Sequence, residues 1–446
     1  MQDLIKRPCV LSHGRSPDTC VLRARRHSAE LETPPLLRRV LLAAVVVTAL
    51  GVSQPVLAID SPSFPILLQQ AQADAPRLLE QAANVRATDA DLRQSRAWLN
   101  PTLSASAENL GVAQAGVSQR ENTYSIAQVF EIGGKRAARI EAGRQLVLSA
   151  AARARHARIA YASELAVAYA SAEAMQQRHE VAKQELERSR DDLRAAEALV
   201  KAGREADLRQ AQARAALAAA EAALESAVAD ETGALARLSA LAGAAEPFTR
   251  VVHPFPIDEP RPAAAAWTPE DAPALVSASA ERNALAAQVR IEERRWVPDI
   301  GVSVGMRKFG WTDERAATVS ISASIPLFDR NKAGIDAARE RANSAALRVD
   351  GARLDAIATH RSALAQVEAS ARRVQAAEQG ETAASDAYRL GRIGYESGKT
   401  SLLELLSIRR LLAEAMERTI EARLDRVRAL ATLSLAEGRI AFGEKQ

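Results

Sequence analysis

Two stretches of this chain, about 197 residues apart, carry the same punctuation. Asp74-Ala75-Pro76 recurs as Asp271-Ala272-Pro273, Trp98-Leu99-Asn100-Pro101 as Trp296-Val297-Pro298, and Gly133-Gly134-Lys135 as Arg330-Asn331-Lys332. Further on, Lys201-Ala202-Gly203-Arg204 returns as Glu396-Ser397-Gly398-Lys399. Each copy reads helix, two short strands, then a very long helical hairpin. A unit with only two strands leaves its sheet edges unpaired, so the duplication calls for partners.

Prolines set the lengths of the elements. None falls between Pro101 and Pro247, and none after Pro326. Within these windows a heptad-like apolar spacing runs through Leu146, Ile159, Leu165, Tyr169, Val181, Leu186, Leu193 and Leu199. It predicts one helix over ~136–200, approaching ~95 Å at ~1.5 Å per residue, and a second over ~205–242. The second copy repeats this as ~332–394 and ~401–440. Helices of such length indicate a coiled coil or helical barrel, not a globular bundle. The low aromatic content, 4%, and the dominance of alanine, arginine, glutamate and leucine agree with that.

The strands are short and cleanly patterned. Thr318 to Ile325 alternates hydroxyl and apolar side chains, which places the two classes on opposite faces of a strand. Ile300, Val302, Val304 and Met306 alternate with Gly301, Ser303 and Gly305 in the strand before it, and the first copy offers Leu103, Ala105, Ala107 and then Tyr124 to Val129. Runs of about 8–11 residues have the length of outer-membrane barrel strands. Alternation alone does not distinguish water from lipid as the second solvent. Polar loops around Gly111, Gly116, Gly310 and Trp311 join the strands.

The chain divides into a presequence with a signal peptide (1–58), a first repeat (59–242), a Pro-rich connector (243–270) and a second repeat (271–446). In the presequence Arg38-Arg39 precede an apolar run from Val40 to Val52, and Val56-Leu57-Ala58 offers small residues for cleavage. The run is too short to span a bilayer comfortably. The connector carries Pro247, Pro254, Pro256, Pro260, Pro262 and Pro269 and reads as a strap or a linker rather than a helix.

The formal charge of +4 comes from the presequence: residues 59–446 hold 51 basic and 51 acidic side chains. No excess charge is left for nucleic acid. Both cysteines, Cys9 and Cys20, precede the cleavage site, so disulfides, thiolate metal sites and cysteine nucleophiles are excluded from the remainder. His156, His179, His253 and His360 never reach ligand spacing and read as solvated or seam residues. The acid pairs Asp191-Asp192 and Glu292-Glu293 read as solvated helix faces. No cofactor, resident metal or catalytic constellation is expected.

The strand-to-helix turns carry more information. Glu131-Ile132-Gly133-Gly134-Lys135-Arg136 and Pro326-Leu327-Phe328-Asp329-Arg330-Asn331-Lys332 each end a strand and start a long helix. Glycine supplies unusual backbone angles there, Pro326 ends strand pairing, and Glu131 and Asp329 lie where a helix start favours negative charge. These turns resemble those of the TolC family of outer-membrane efflux proteins. Gly394 to Leu405 is similar to that family's helical tip. The Glu131–Arg136 segment, with Ala97-Trp98-Leu99-Asn100-Pro101, resembles the heavy-metal branch of the cobalt–zinc–cadmium type, although Val129 stands where that branch usually has proline.

The resemblance covers ~65–440. It implies a mainly α fold with β: a homotrimer whose four strands per chain complete a twelve-stranded outer-membrane β-barrel, continued by a long periplasmic α-helical barrel. Its partners would be outer-membrane lipid, a periplasmic adaptor (membrane fusion protein) and an inner-membrane RND pump. The adaptor would dock at the tips formed by Lys201, Ala202, Gly203, Arg204 and by Ser397, Gly398, Lys399, Thr400. A passive exit duct for divalent heavy-metal cations is the expectation. Drug efflux, type I secretion and a non-pore periplasmic coiled-coil scaffold are the alternatives.

Overall fold

The computed structural model describes residues 59–244, 246–257, 267–312 and 314–443. The signal-peptide reading and the middle of the connector lie outside these residues. In chain order the elements begin with β1 (Ile59–Ser61), α1 (Phe64–Asp74), α2 (Pro76–Ser95), β2 (Thr102–Glu108), β3 (Ala113–Gln114), β4 (Val117–Ser118) and β5 (Glu121–Phe130). The long helix α3 (Lys135–Lys201) and its return α4 (Asp207–Ala242) follow, then β6 (Phe248–Val251). The second half supplies α5 (Pro273–Arg294), β7 (Ile300–Phe309), β8 (Arg315–Ala323), α6 (Lys332–Glu396) and α7 (Leu402–Ala436). With 67 residues, α3 is about 100 Å long at 1.5 Å per residue.

The two long helices start alike. Gly134 and Asn331 sit immediately before α3 and α6, with φ of 78° and 54°. That left-handed turn redirects the chain from strand to helix, and glycine and asparagine are the residues that tolerate it. Serine, alanine and leucine then carry the helices without proline, so nothing interrupts the backbone ladder until Gly203 and Gly398.

The sheet draws on both halves of the chain. Its order is β2-β5-β7-β8, every pair antiparallel. The central pairing, β5 with β7, runs without interruption from Glu121↔Phe309 to Phe130↔Ile300. Thus β2 and β8 form its two unpaired edges.

Sequence patterning did not anticipate the core at mid-helix. Phe64, Tyr169, Phe255 and Phe442, from four remote positions, gather their rings at centroid distances of 4.7–6.2 Å. Ala162, Leu165, Ala166 and Leu238 pack beneath them with no exposure. Burying each large ring contributes about 1.5–3 kcal/mol. The connector is pinned onto this core by three side chains on one face of α3. Tyr169 donates its hydroxyl to His253 O (2.8 Å), Glu173 accepts from the Phe255 amide (2.8 Å), and Gln176 both accepts from the Val251 amide (3.0 Å) and donates to its carbonyl (3.3 Å). The described start of the connector is therefore structured: β6 pairs in parallel with β1. Burial pushes the Tyr169 hydroxyl up to about 12 and raises the Glu173 carboxyl above the usual range.

Candidate functional site

The sheet has one apolar and one polar face, and the register shows that all four strands agree. Leu103, Ile126, Val304 and Val319 are successive cross-strand partners, as are Tyr124, Met306 and Ala317, or Val302 and Ile321. The adjacent rows hold Ser104, Ser125, Gly305 and Thr318, and then Ser303 with Ser320. On that side Ser104 bonds Ser125 (2.8 Å) and Ser303 bonds Ser320 (2.6 Å). Arg307 pairs with Glu121 (3.0 Å) and donates to Thr123 (3.2 Å). The apolar side chains stay open to the surroundings: Leu103 is 83% exposed, Ile321 76% and Val319 73%. A patch of that size on a two-solvent sheet marks a surface that meets lipid or protein.

The polar face is also the crowded one. A Cβ on Gly305 would lie 2.6 Å from Tyr124 O and 2.8 Å from Ser125 Cβ, and one on Gly301 2.5 Å from Ser322 Oγ. At these two positions the neighbouring strand comes so close that glycine is what the face accommodates.

The two strand-to-helix turns are locked by side chains, and one ion pair joins the two halves of the chain. The Glu131 carboxylate takes a forked pair from Arg139, which also donates to Ser95 O (3.1 Å). Lys135 reaches Asp299 of the second half (2.9 Å). Asn331 donates to Glu292 O (3.0 Å) and Oε2 (2.7 Å), while its amide donates to Asp329 Oδ1 (2.8 Å). Gly133 (φ 68°) packs so tightly that an added Cβ would sit 2.6 Å from Val297 Cγ1; at Gly134 (φ 78°) it would meet nothing. Gly134→Ala is accordingly expected to cost only the left-handed penalty, about 1–2 kcal/mol. Gly133→Ala adds an overpacking cost of about 1–3 kcal/mol. Thermal unfolding of the two variants side by side checks that ranking. Pairing of β8 ends at Ala323, three residues before Pro326, so the proline lies in the connection to the helix and does not itself end the pairing.

The two hairpin tips share one geometry. Gly203 (φ 67°) donates to Val200 O (2.9 Å) and Arg204 to Leu199 O (3.0 Å). Gly398 (φ 73°) donates to Tyr395 O (3.0 Å) and Lys399 to Gly394 O (2.8 Å). These are C-terminal caps closed by a left-handed glycine. Open space surrounds both glycines, and Lys201, Ala202, Arg204, Ser397 and Lys399 are exposed. The returns differ: Ser401 caps α7 by accepting from the Glu404 amide (3.2 Å), and Thr400 is half-buried, whereas Ala206 before α4 offers no side-chain cap. The structure thus assembles the turn residues into one collar at the sheet end, with the tips at the other end of the long helices.

One cluster escaped sequence reasoning. Arg409 on α7 lies 6% exposed between Glu185 (2.9 Å), Asp192 and Ser189 of α3. Burial raises both carboxyls, with Arg409 opposing. Asp192 is therefore no solvated face, and Glu292, which holds Asn331 and Arg295, is not one either. Their neighbours, the exposed Asp191 and the half-buried Glu293, pair with Arg194 and Arg339. The pattern around these acids is the same as on any charged helix; only the partner helix changes their environment. Elsewhere, His179 bonds Glu231 (2.5 Å), and His360 stacks on Trp267 at 3.8 Å beside Glu437. Among the described residues no group of three or more His, Cys, Asp or Glu could hold a metal ion. No described helix is long and apolar enough to cross a membrane.

The family described as outer membrane efflux protein matches residues 67–244 and 269–439. The chain belongs to that family. Two curated relatives extend the likeness over nearly the whole length. The nickel-cobalt-cadmium resistance protein NccC of Alcaligenes xylosoxydans xylosoxydans is 50% identical over 87% of this chain and 89% of its own. The nickel and cobalt resistance protein CnrC of Cupriavidus metallidurans is 52% identical over 87% and 93%. In fold, the CmeC outer membrane channel of Campylobacter jejuni superposes with a TM-score of 0.72 at 14% identity, covering 84% of this chain and 85% of that one. As an outer membrane efflux protein, the chain puts its sheet in the outer membrane and its helices in the periplasm.

Proposed function

We propose that three copies of the chain join into one passive exit duct for divalent transition-metal cations, with no catalytic step of its own. The observation that carries this is the two-faced sheet with free edges. Its strands alternate in direction, so β8 of one copy meets β2 of the next antiparallel, and three sheets close into twelve strands with no edge left. The crowded Ser/Gly face then lines the lumen, and the row of Leu103, Ile126, Val304 and Val319 meets lipid. The 67-residue α3 and 65-residue α6 continue the duct into the periplasm.

The cargo class rests on the two relatives named for nickel, cobalt and cadmium resistance. A conduit has no need of ligands that hold its cargo, and tight ligation would slow exit. An adaptor and an inner-membrane pump supply energy and substrate. Heat-resistant trimers with single-channel conductance in planar bilayers are expected; monomers without conductance would return the chain to a coiled-coil scaffold. Deleting the gene is expected to sensitise cells to cobalt or nickel, and sensitisation to drugs alone would reassign the cargo.

The tips Lys201–Arg204 and Ser397–Thr400 are the adaptor's docking points in this reading, with specificity carried by their unequal capping. Gly398→Val places a β-branched residue at φ 73°, where it costs at least about 1–2 kcal/mol and reshapes only the tip. Loss of adaptor co-purification with trimer yield unchanged is expected. Retained co-purification and export would remove the tips from the interface.

A further inference from the structure

At the helix end of the sheet, exposed rings and unpaired arginines alternate in both halves of the chain. Trp98 lies four residues before β2 and Trp296 four before β7, 65% and 50% exposed. Phe328, just after β8, is fully exposed. Each tryptophan follows an arginine by two residues, Arg96 and Arg294, and Arg330 follows Phe328 by two. The register sets all of these at one end of the sheet, beside the apolar row of Phe130, Ile300 and Ala323.

The charges there do not balance. Every carboxylate near the turns is taken from within: Glu131 by Arg139, Asp299 by Lys135, Glu292 by Asn331 and Arg295, Glu293 by Arg339, Asp329 by the Asn331 amide. Arg136 is also committed, lying 4.9 Å over the Trp98 ring and donating to Arg96 O. Arg96, Arg294 and Arg330 are exposed and have no acidic partner within 4.0 Å among the described residues. Aromatic rings with a polar edge settle at the headgroup level of a bilayer, and arginine reaches from apolar surface to phosphate.

We propose that this collar binds anionic phospholipid headgroups in the periplasmic leaflet, so that the protein enters a bilayer containing them in preference to a zwitterionic one. The proposal rests on the lipid-facing assignment of the apolar sheet face. Phosphatidylglycerol is the probe. The detergent-solubilised full chain is offered vesicles of phosphatidylcholine alone, or of phosphatidylcholine with one quarter phosphatidylglycerol, and insertion is read by flotation and protease protection. Wild type is expected to favour the anionic vesicles by about fivefold per arginine at low salt. The variant R96Q/R294Q/R330Q is expected to enter phosphatidylcholine like wild type and to lose the preference. Equal insertion of wild type into both vesicles, or a preference kept by the variant, would overturn the collar and leave the lipid-facing assignment standing. Insertion of wild type into neither would overturn both.

Discussion

Replacing Arg409 by methionine is expected to destabilise the fold by about 3–5 kcal/mol, because it strands two buried carboxylates. Methionine fills much the same length, so the loss is one of charge rather than of packing. Glu185 and Asp192 would keep their burial, and only the more distant Arg188 would still oppose it, for Glu185. Both carboxyls already sit above the ordinary range, so the folded chain binds their protons more tightly than the unfolded one. Such groups contribute stability below the unfolded value, about 4, and lose it as pH rises through the folded value. The variant is therefore least stable near neutral pH and recovers on acidification. Neutralising the acids as well, in R409M/E185Q/D192N, is expected to restore most of the loss. Thermal unfolding followed by helical circular dichroism at pH 7.5 and pH 5 tests both statements. A loss independent of pH and unrelieved in the triple variant would mean that packing, not charge, is what Arg409 contributes.

Val319→Arg is expected to lower the yield of membrane-inserted protein sharply. Val319 is 73% exposed at the middle of β8, on the apolar face beside Val304, and an arginine facing mid-bilayer lipid costs about 2–4 kcal/mol. Ser320→Arg one residue away points to the polar face, at an exposed position away from the crowded Gly301 and Gly305, and forfeits little beyond its bond to Ser303, about 1 kcal/mol. Outer-membrane fractionation of the two variants gives the ranking. Equal yields, or Ser320→Arg as the worse, would invert the face assignment.

Much of this architecture is readable in one dimension. The predicted helix over ~136–200 is observed at Lys135–Lys201 and that over ~332–394 at Lys332–Glu396. Proline-free windows and a left-handed glycine or asparagine at each end are local signals, and they act on neighbouring residues. The strands were nearly as legible: the alternation read along 318–325 survives in the register as far as Ala323, and Ser324 and Ile325 fall beyond the strand. Leu146 shows the limit of periodicity: it fits the apolar spacing yet is 46% exposed in the chain. The acid pairs show another limit. Asp191 and Asp192 are indistinguishable in sequence, but the first is at the surface and the second is enclosed by Arg409, 217 residues away.

By itself, then, the sequence determined the helix lengths, the strand faces and the left-handed turns, because each depends on residues within a turn or two. Only the tertiary structure decided what lies between the elements. It joined β5 to β7 and so merged two strand pairs into one sheet. It collected Phe64, Tyr169, Phe255 and Phe442 into one core, and it buried Arg409 between two acids. Those outcomes hang on contacts between remote segments, whose energies depend on burial and on opposing charges that no local pattern records.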